Sequence, residues 1–276
     1  MTLLDRLRAL YPEASRRSHK QWIEGGRVTV NGRAALDART AVGPGNRVAL
    51  GGPDAASRGR GRVPFPTPLR LVHEDADLLV IDKPPGLLTV ATDRERERTA
   101  YRLLWDYLAV RRPPARPFIV HRLDRDTSGL LAFATTPEAK RHVQAQFAAR
   151  TAEREYVAVV EGRVGTSAGT LESRLVEDAA LRVRAAPSGV TAITHYQVLA
   201  RRRDLTVLAL TLGTGRRHQI RVQLADIGHP IAGDREHGSR LDPFGRLALH
   251  ACRLGLVHPT TGVRVSFASA PPAGWV

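Results

Sequence analysis

The chain has 276 residues, with 42 lysines and arginines against 27 acids, a formal net charge of +15 and an isoelectric point near 11.2. Hydrophobic residues make up 42% of it, which excludes a disordered basic tail, and its single cysteine, Cys252, excludes an internal disulfide framework or a multi-thiolate zinc site. The opening Met1-Thr2-Leu3-Leu4-Asp5-Arg6 carries charges where a signal peptide needs an apolar run, and no apolar stretch approaches the roughly 20 residues that span a bilayer, so the expectation is a cytoplasmic globular protein with no membrane contact and a polyanionic partner.

Leu3, Leu4, Leu7 and Leu10 have helical spacing, and Pro12 marks the break after them. Ser15 then caps a second helical stretch with Trp22 and Ile23 as its buried residues, and Gly25-Gly26 ends it. Arg27-Val28-Thr29-Val30 alternates like a strand, Asn31-Gly32 signals a hairpin turn, and Pro44-Gly45-Asn46 precedes a short strand at 47–50. Arg16, Arg17 and Lys20 share the outward face of the second helix, and Arg27 and Arg33 sit on the hairpin, together an anion-binding surface. Residues 51 to 68 are rich in Gly, Pro and Arg, with no periodic apolar pattern, and read as a flexible tether.

Beyond it, strands outnumber helices. Strand patterns fall at 78–81, 129–134, 156–160, 191–199, 206–211, 219–224 and 264–267, and helical ones at 99–109 and 137–150. Without regular alternation of strand and helix, this order argues for α+β rather than a doubly wound parallel sheet.

Three strings carry candidate chemistry. His121-Arg122-Leu123-Asp124-Arg125-Asp126-Thr127-Ser128-Gly129 is a polar segment between two apolar runs, in a loop entering a strand, where catalytic groups concentrate. Chemistry alone does not choose between its two aspartates, and a turn capped by Asp126 or Thr127 is the structural alternative. Leu212-Gly213-Thr214-Gly215-Arg216-Arg217-His218-Gln219-Ile220-Arg221 offers glycines for close approach, with Arg216 and Arg221 as forks for a carboxylate or phosphate. In Ile81-Asp82-Lys83-Pro84-Pro85-Gly86 a turn follows a buried strand, with Lys83 at its mouth.

In this order and spacing the three strings resemble the RluA family of RNA pseudouridine synthases. The resemblance continues through Ile227-Gly228-His229-Pro230-Ile231, Gly233-Asp234, Leu249-His250-Ala251 and His258-Pro259, and spans about residues 69–275. The run from Ser15-Arg16-Arg17-Ser18 through Asn31-Gly32 to Gly43-Pro44-Gly45-Asn46-Arg47-Val48 resembles the RNA-binding domain named after ribosomal protein S-four, with Asn46 where that family usually has aspartate. The implied organisation is an RNA-binding domain at 1–52, a linker at 53–68 and a catalytic domain at 69–276. The implied fold is α+β, a mixed, mostly antiparallel central sheet flanked by helices, preceded by the small RNA-binding domain.

The resemblance also implies a reaction: the glycosidic bond of a uridine breaks, the uracil turns, and its carbon five joins the anomeric carbon, with no cofactor and no metal. Asp124 matches the catalytic aspartate, acting as nucleophile or as ribose base. Arg221 matches the arginine that keeps it ionised, and Tyr156 the tyrosine stacked on uracil. Arg122 matches an arginine entering the RNA helix as the target nucleotide leaves it, an extrusion the chemistry requires. Lys83, Arg216, His121, Arg16, Arg17, Lys20 and Arg27 complete the expected RNA contacts. Arg154 stands where the family usually has lysine, Gln223 where histidine is common and His237 where tyrosine is. The histidines show no metal-ligand spacing. The expected partner is RNA, rRNA ahead of tRNA, and the expected state a monomer. Competing readings are a non-catalytic RNA-binding factor and a hydrolase using Asp124 with Asp126, two carboxylates that an extended segment would point to opposite faces.

Overall fold

In the computed structural model, which describes residues 1–12, 14–24, 27–50, 64–93 and 95–275, Thr2 closes the first helix from both directions. Its hydroxyl accepts the Asp5 amide at 3.2 Å and its own amide donates to the Asp5 carboxylate at 3.4 Å, so two otherwise orphaned donors are satisfied at the start of α1 (Leu3–Leu10). Ser15 Oγ accepts the Ser18 amide at 3.1 Å ahead of α2 (Arg16–Glu24). Asn31 and Gly32 both take positive φ, 52° and 79°, as a tight hairpin between β1 (Val28–Val30) and β2 (Arg33–Ala34) demands. With β3 (Val48–Leu50) these strands form a sheet in the order β2-β1-β3 over a core of Leu3, Leu7, Ile23, Val28 and Val42. Asn46 Oδ1 accepts the Gly43 amide at 2.7 Å, a bond that aspartate would make equally well. The Gly25-Gly26 helix stop and most of the expected tether, residues 51–63, lie outside the described residues.

The chain divides into two units, Met1–Pro64 with Asp106–Ala115, and Phe65–Trp105 with Arg116–Val276. The larger unit is α+β. Its elements, in order, are β4 (Arg70–Glu74), β5 (Leu78–Lys83), α3 (Ala100–Arg111, which crosses the division), β6 (Phe118–Ile119), β7 (Ser128–Ala134), α4 (Pro137–Ala148), β8 (Glu153–Glu161), β9 (Ala168–Glu177), β10 (Val183–Ala185), β11 (Val190–Arg201), β12 (Leu205–Leu212), α5 (Gln219–Asp226), β13 (Leu249–Val257) and β14 (Arg264–Ala268). The sheet runs β10-β9-β11-β12-β8-β13-β7-β5-β4, with β14 on β13 and β6 on β7. Among the described strands only β13 and β7 pair in parallel. That central pair is buried on both faces along β7, which is why Ser128–Ala134 reads as a continuous apolar run. Gly129, at φ 109°, is where it closes: a Cβ there would overlap the Ala251 carbonyl.

One strand expectation is overturned. Residues 219–224 alternate polar and apolar, but they form helix α5, and all six are buried. The polar half of the alternation faces no solvent. Gln219 Nε2 donates to the Ile193 carbonyl and Gln223 Nε2 to the Ala192 carbonyl, both at 2.9 Å. Buried groups satisfied by distant partners mimic a strand's solvent face, so a period of two misreads the segment.

Candidate active site

Asp124 lies in the segment 121–127 between β6 and β7, which is tied down on both sides of it. Thr89 Oγ1 donates to the Leu123 carbonyl at 2.7 Å and accepts the Leu123 amide at 3.2 Å, while Lys83 Nζ donates to the Arg125 carbonyl at 2.9 Å. The Asp124 side chain is about one-fifth exposed and makes no hydrogen bond among the described residues; His218 Nε2 stands 4.0 Å from its Oδ1. A carboxylate held on a rigid segment, with its lone pairs unspent, is preorganised for a substrate. It borders a cavity of about 110 Å³, whose lining includes Arg122, Arg154, Tyr156, His218 and Arg221. A wider groove of about 520 Å³ beside Arg203, Asp204 and Asp242 carries only exposed charges.

Tyr156 reaches this cavity from β8, between Leu210 of β12 and Ala251 of β13. Burial pushes its phenol up to about 12, against the Arg154 guanidinium and helped by the Asp124 charge, so it keeps its proton at neutral pH. It can stack on or donate to a base there, and it is not a ready proton acceptor.

Arg221 comes from the first turn of α5, and among the described residues its ion pairs go to acids other than Asp124. Its Nε and Nη2 bond the two oxygens of Asp234 at 2.7 and 2.6 Å, and Nη2 also meets Glu236 Oε2 at 2.8 Å. Asp234 is buried and would be costly without a bidentate partner, so it claims the fork. Burial alone would raise the Asp234 carboxyl, but the bonds to Arg221 and His237 hold it down at about 2. Arg221 therefore acts on Asp124 across space, and Asp124 in turn favours the charged guanidinium. Gly233-Asp234 was legible as a motif, but nothing local pointed to Arg221, 13 residues earlier, as its partner.

His218 has the strained left-handed backbone, φ 50° and ψ 16°, at the N-cap of α5. Its ring is 9% exposed and Nδ1 has no hydrogen-bond partner. Burial lowers its pKa against the pull of Asp124, leaving the ring neutral at pH 7. Nothing in its local sequence marks it out; only the fold sets it against Asp124.

Two expected RNA contacts turn inward instead. Lys83 is fully buried, and its ammonium donates to the carbonyls of Pro84, Leu87 and Arg125 at 2.8–2.9 Å. Burial lowers it to about 7, partly offset by Asp126 and Asp124. His121 accepts the Ala132 amide at 3.0 Å and stacks on Phe147 at 4.7 Å, and burial drops its pKa to about 3. Both side chains brace the Asp124 segment. Arg122 and Arg216 stay exposed at the cavity rim. Asp126 is exposed and outside the cavity lining, so it shares no site with Asp124. In the smaller unit Arg16, Arg17 and Lys20 are exposed along α2, while Arg27 lies over the Trp22 ring at 5.9 Å.

Among the described residues the fold also assembles two groups of potential metal ligands that spacing along the chain did not reveal, His218 with Glu236 and His237, and Asp75 with Asp77 and His258. In the second, His258 Nε2 bonds Asp75 at 3.0 Å while Nδ1 accepts the amides of Thr260 and Thr261, so both ring nitrogens are already engaged. No helix among the described residues is long and apolar enough to cross a membrane.

Residues 77–226 match the RNA pseudouridylate synthase family, and residues 1–48 match the S4 domain. The chain is 37% identical to the ribosomal large subunit pseudouridine synthase D of Yersinia pestis, over 98% of this chain and 87% of that one. It is 38% identical to the protein of the same name from Pseudomonas aeruginosa, over 98% and 88%. Among solved structures it is similar to human RNA pseudouridylate synthase domain containing 1, with a TM-score of 0.59 and 26% identity, over 73% of this chain and 83% of that one.

Proposed function

This chain belongs to the RNA pseudouridylate synthase family, isomerases that act on RNA, and we propose that it converts specific uridines of large-subunit ribosomal RNA to pseudouridine in the cytoplasm, as a monomer that needs no metal or cofactor. The observation that carries this reading is Asp124: an unbonded carboxylate on a braced segment, beside a cavity it shares with Tyr156. The names of the bacterial relatives, matched over nearly the whole chain, favour ribosomal RNA as the substrate.

In this reading the nucleotide leaves its helix and enters the cavity sugar first towards Asp124. Arg122, at the rim, takes up the space it vacates, and Arg216 meets the neighbouring backbone. Tyr156 packs on the uracil. Asp124 acts on the ribose, and the Arg221–Asp234 pair sets the charge around it, with the neutral His218 ring packed beside it. Residues 1–52 grip RNA away from the target, with 53–68 as linker and 69–276 as the catalytic part. Mapping pseudouridines in total RNA from cells with and without this gene tests the proposal. Sites in large-subunit rRNA should vanish on deletion and return with the parent gene; loss confined to tRNA would overturn the choice of substrate.

The basic face of α2 gives a second test. Replacing Arg16, Arg17 and Lys20 together by alanine should weaken RNA binding and flatten its salt dependence. Each lost phosphate contact removes about 0.7–0.9 from the slope of log affinity against log salt, so a drop of roughly 2–3 is expected in a salt titration of binding. An unchanged slope would mean that this face does not meet phosphate.

A further inference from the structure

Arg154 precedes Tyr156 by two residues on β8, so the two side chains share one face of the sheet. Its guanidinium lies 5.5 Å from the Phe147 ring centroid, and it sits so close to Gly215 that a Cβ there would overlap Nη1. It lines the Asp124 cavity, yet among the described residues it makes no ion pair and no hydrogen bond, and its Nε is buried without a partner. A guanidinium wedged in place, half sunk from solvent and lacking an anion is costly unless something supplies one.

The other cationic groups of the lining are committed or remote. Arg221 is engaged by Asp234 and Glu236, and Arg217 by Glu177 at 2.6 Å. His218 is neutral, and Arg122 and Arg216 are exposed at the rim. We propose that Arg154 receives the uracil of the extruded nucleotide, pairing with a carbonyl oxygen of the ring when it becomes anionic. This rests on the pseudouridylation reading and adds to it the residue that stabilises the leaving group. When the bond between N1 and the anomeric carbon breaks, its electron pair passes to uracil and spreads onto the ring oxygens. That charge develops beside the carboxylate of Asp124, which repels it. The new bond from carbon five to the anomeric carbon uses the base's electrons, the proton on carbon five departs to water, and N1 gains one, so atoms and charge balance. A fixed cation is most valuable while the anion exists.

The test uses the full chain and large-subunit rRNA transcribed with uridine tritiated at carbon five, since isomerisation releases that tritium. Arg154→Met should slow single-turnover release by about 10²-fold, the usual loss when one preorganised donor to a developing anion is removed, with RNA affinity changed less than about threefold. Arg154→Lys, which restores the charge, should come within about tenfold of the parent. Gly215→Ala should also slow release, by about tenfold, because the new methyl displaces the guanidinium, and this variant carries the test if Arg154→Met does not fold. Parent-like release by Arg154→Met, a loss lying wholly in RNA affinity, a lysine variant as slow as the methionine one, or Gly215→Ala at the parent rate would each overturn the proposal. Absence of release by the parent enzyme would instead overturn the pseudouridylation reading on which it rests.

Discussion

Replacing Asp124 by asparagine should leave the protein folded and bound to RNA while cutting product formation by at least about 10³-fold, within the range lost when a positioned acid–base or nucleophilic group is removed. The expectation of an intact fold comes from the geometry. The segment carrying Asp124 is held through the backbone of its neighbours, by Thr89 on Leu123 and by Lys83 on Arg125, and the Asp124 side chain itself bonds nothing among the described residues. Asparagine keeps the shape and deletes the charge, so melting temperature and RNA affinity should stay near those of the parent. Tritium release within about tenfold of the parent rate would remove Asp124 from the chemistry.

The second large effect is structural. Replacing Asp234 by alanine strips Arg221 of its bidentate partner in a site where both side chains are almost wholly shielded from solvent, 7% and 1% exposed. Breaking a buried pair by removing one member typically costs about 3–5 kcal/mol. At about 2–4 °C per kcal/mol for a domain of this size, melting should fall by roughly 10 °C. Glu236 remains beside the guanidinium, but it is half exposed and reaches only Nη2. The same pair predicts a pH dependence. The folded pKa of Asp234, about 2, lies below its ordinary 3.8, so the unfolded chain binds more protons between those values. The contribution is therefore fully present above about pH 4 and is lost as pH falls through 2, an amount of about 2 kcal/mol. Asp234→Asn should flatten that part of the acid-unfolding curve. Matching curves for parent and variant would show that Arg221 does not depend on Asp234.

Both predictions turn on side chains whose roles were unequally visible beforehand. Asp124 stood out because it sits in an ordered string that reads directly off the chain. Asp234 stood in a recognisable string too, yet its job depends on a guanidinium brought to it by a helix that the alternation of residues 219–224 disguised as a strand. Arg154 was visible only as a conservative departure, arginine for lysine; its lack of an anion becomes apparent when Phe147, Gly215 and Tyr156 are in place around it.

Local sequence determined what short-range physics governs: the Thr2 and Ser15 caps, the left-handed turn at Asn31-Gly32, the Pro137 helix start, and the apolar run of Ser128–Ala134 through the middle of the sheet. The +15 charge announced a polyanion, and the ordered strings around Asp124 announced what is done to it. Tertiary structure alone decided which charges meet. Lys83 and His121 turned inward to brace the Asp124 segment, Arg221 gave its fork to Asp234, and His218 was set against Asp124. The reason is physical: a cap or a turn is satisfied by residues within a few positions, whereas a buried charge is satisfied by whatever group the folded chain delivers within about 3 Å, from any distance along it.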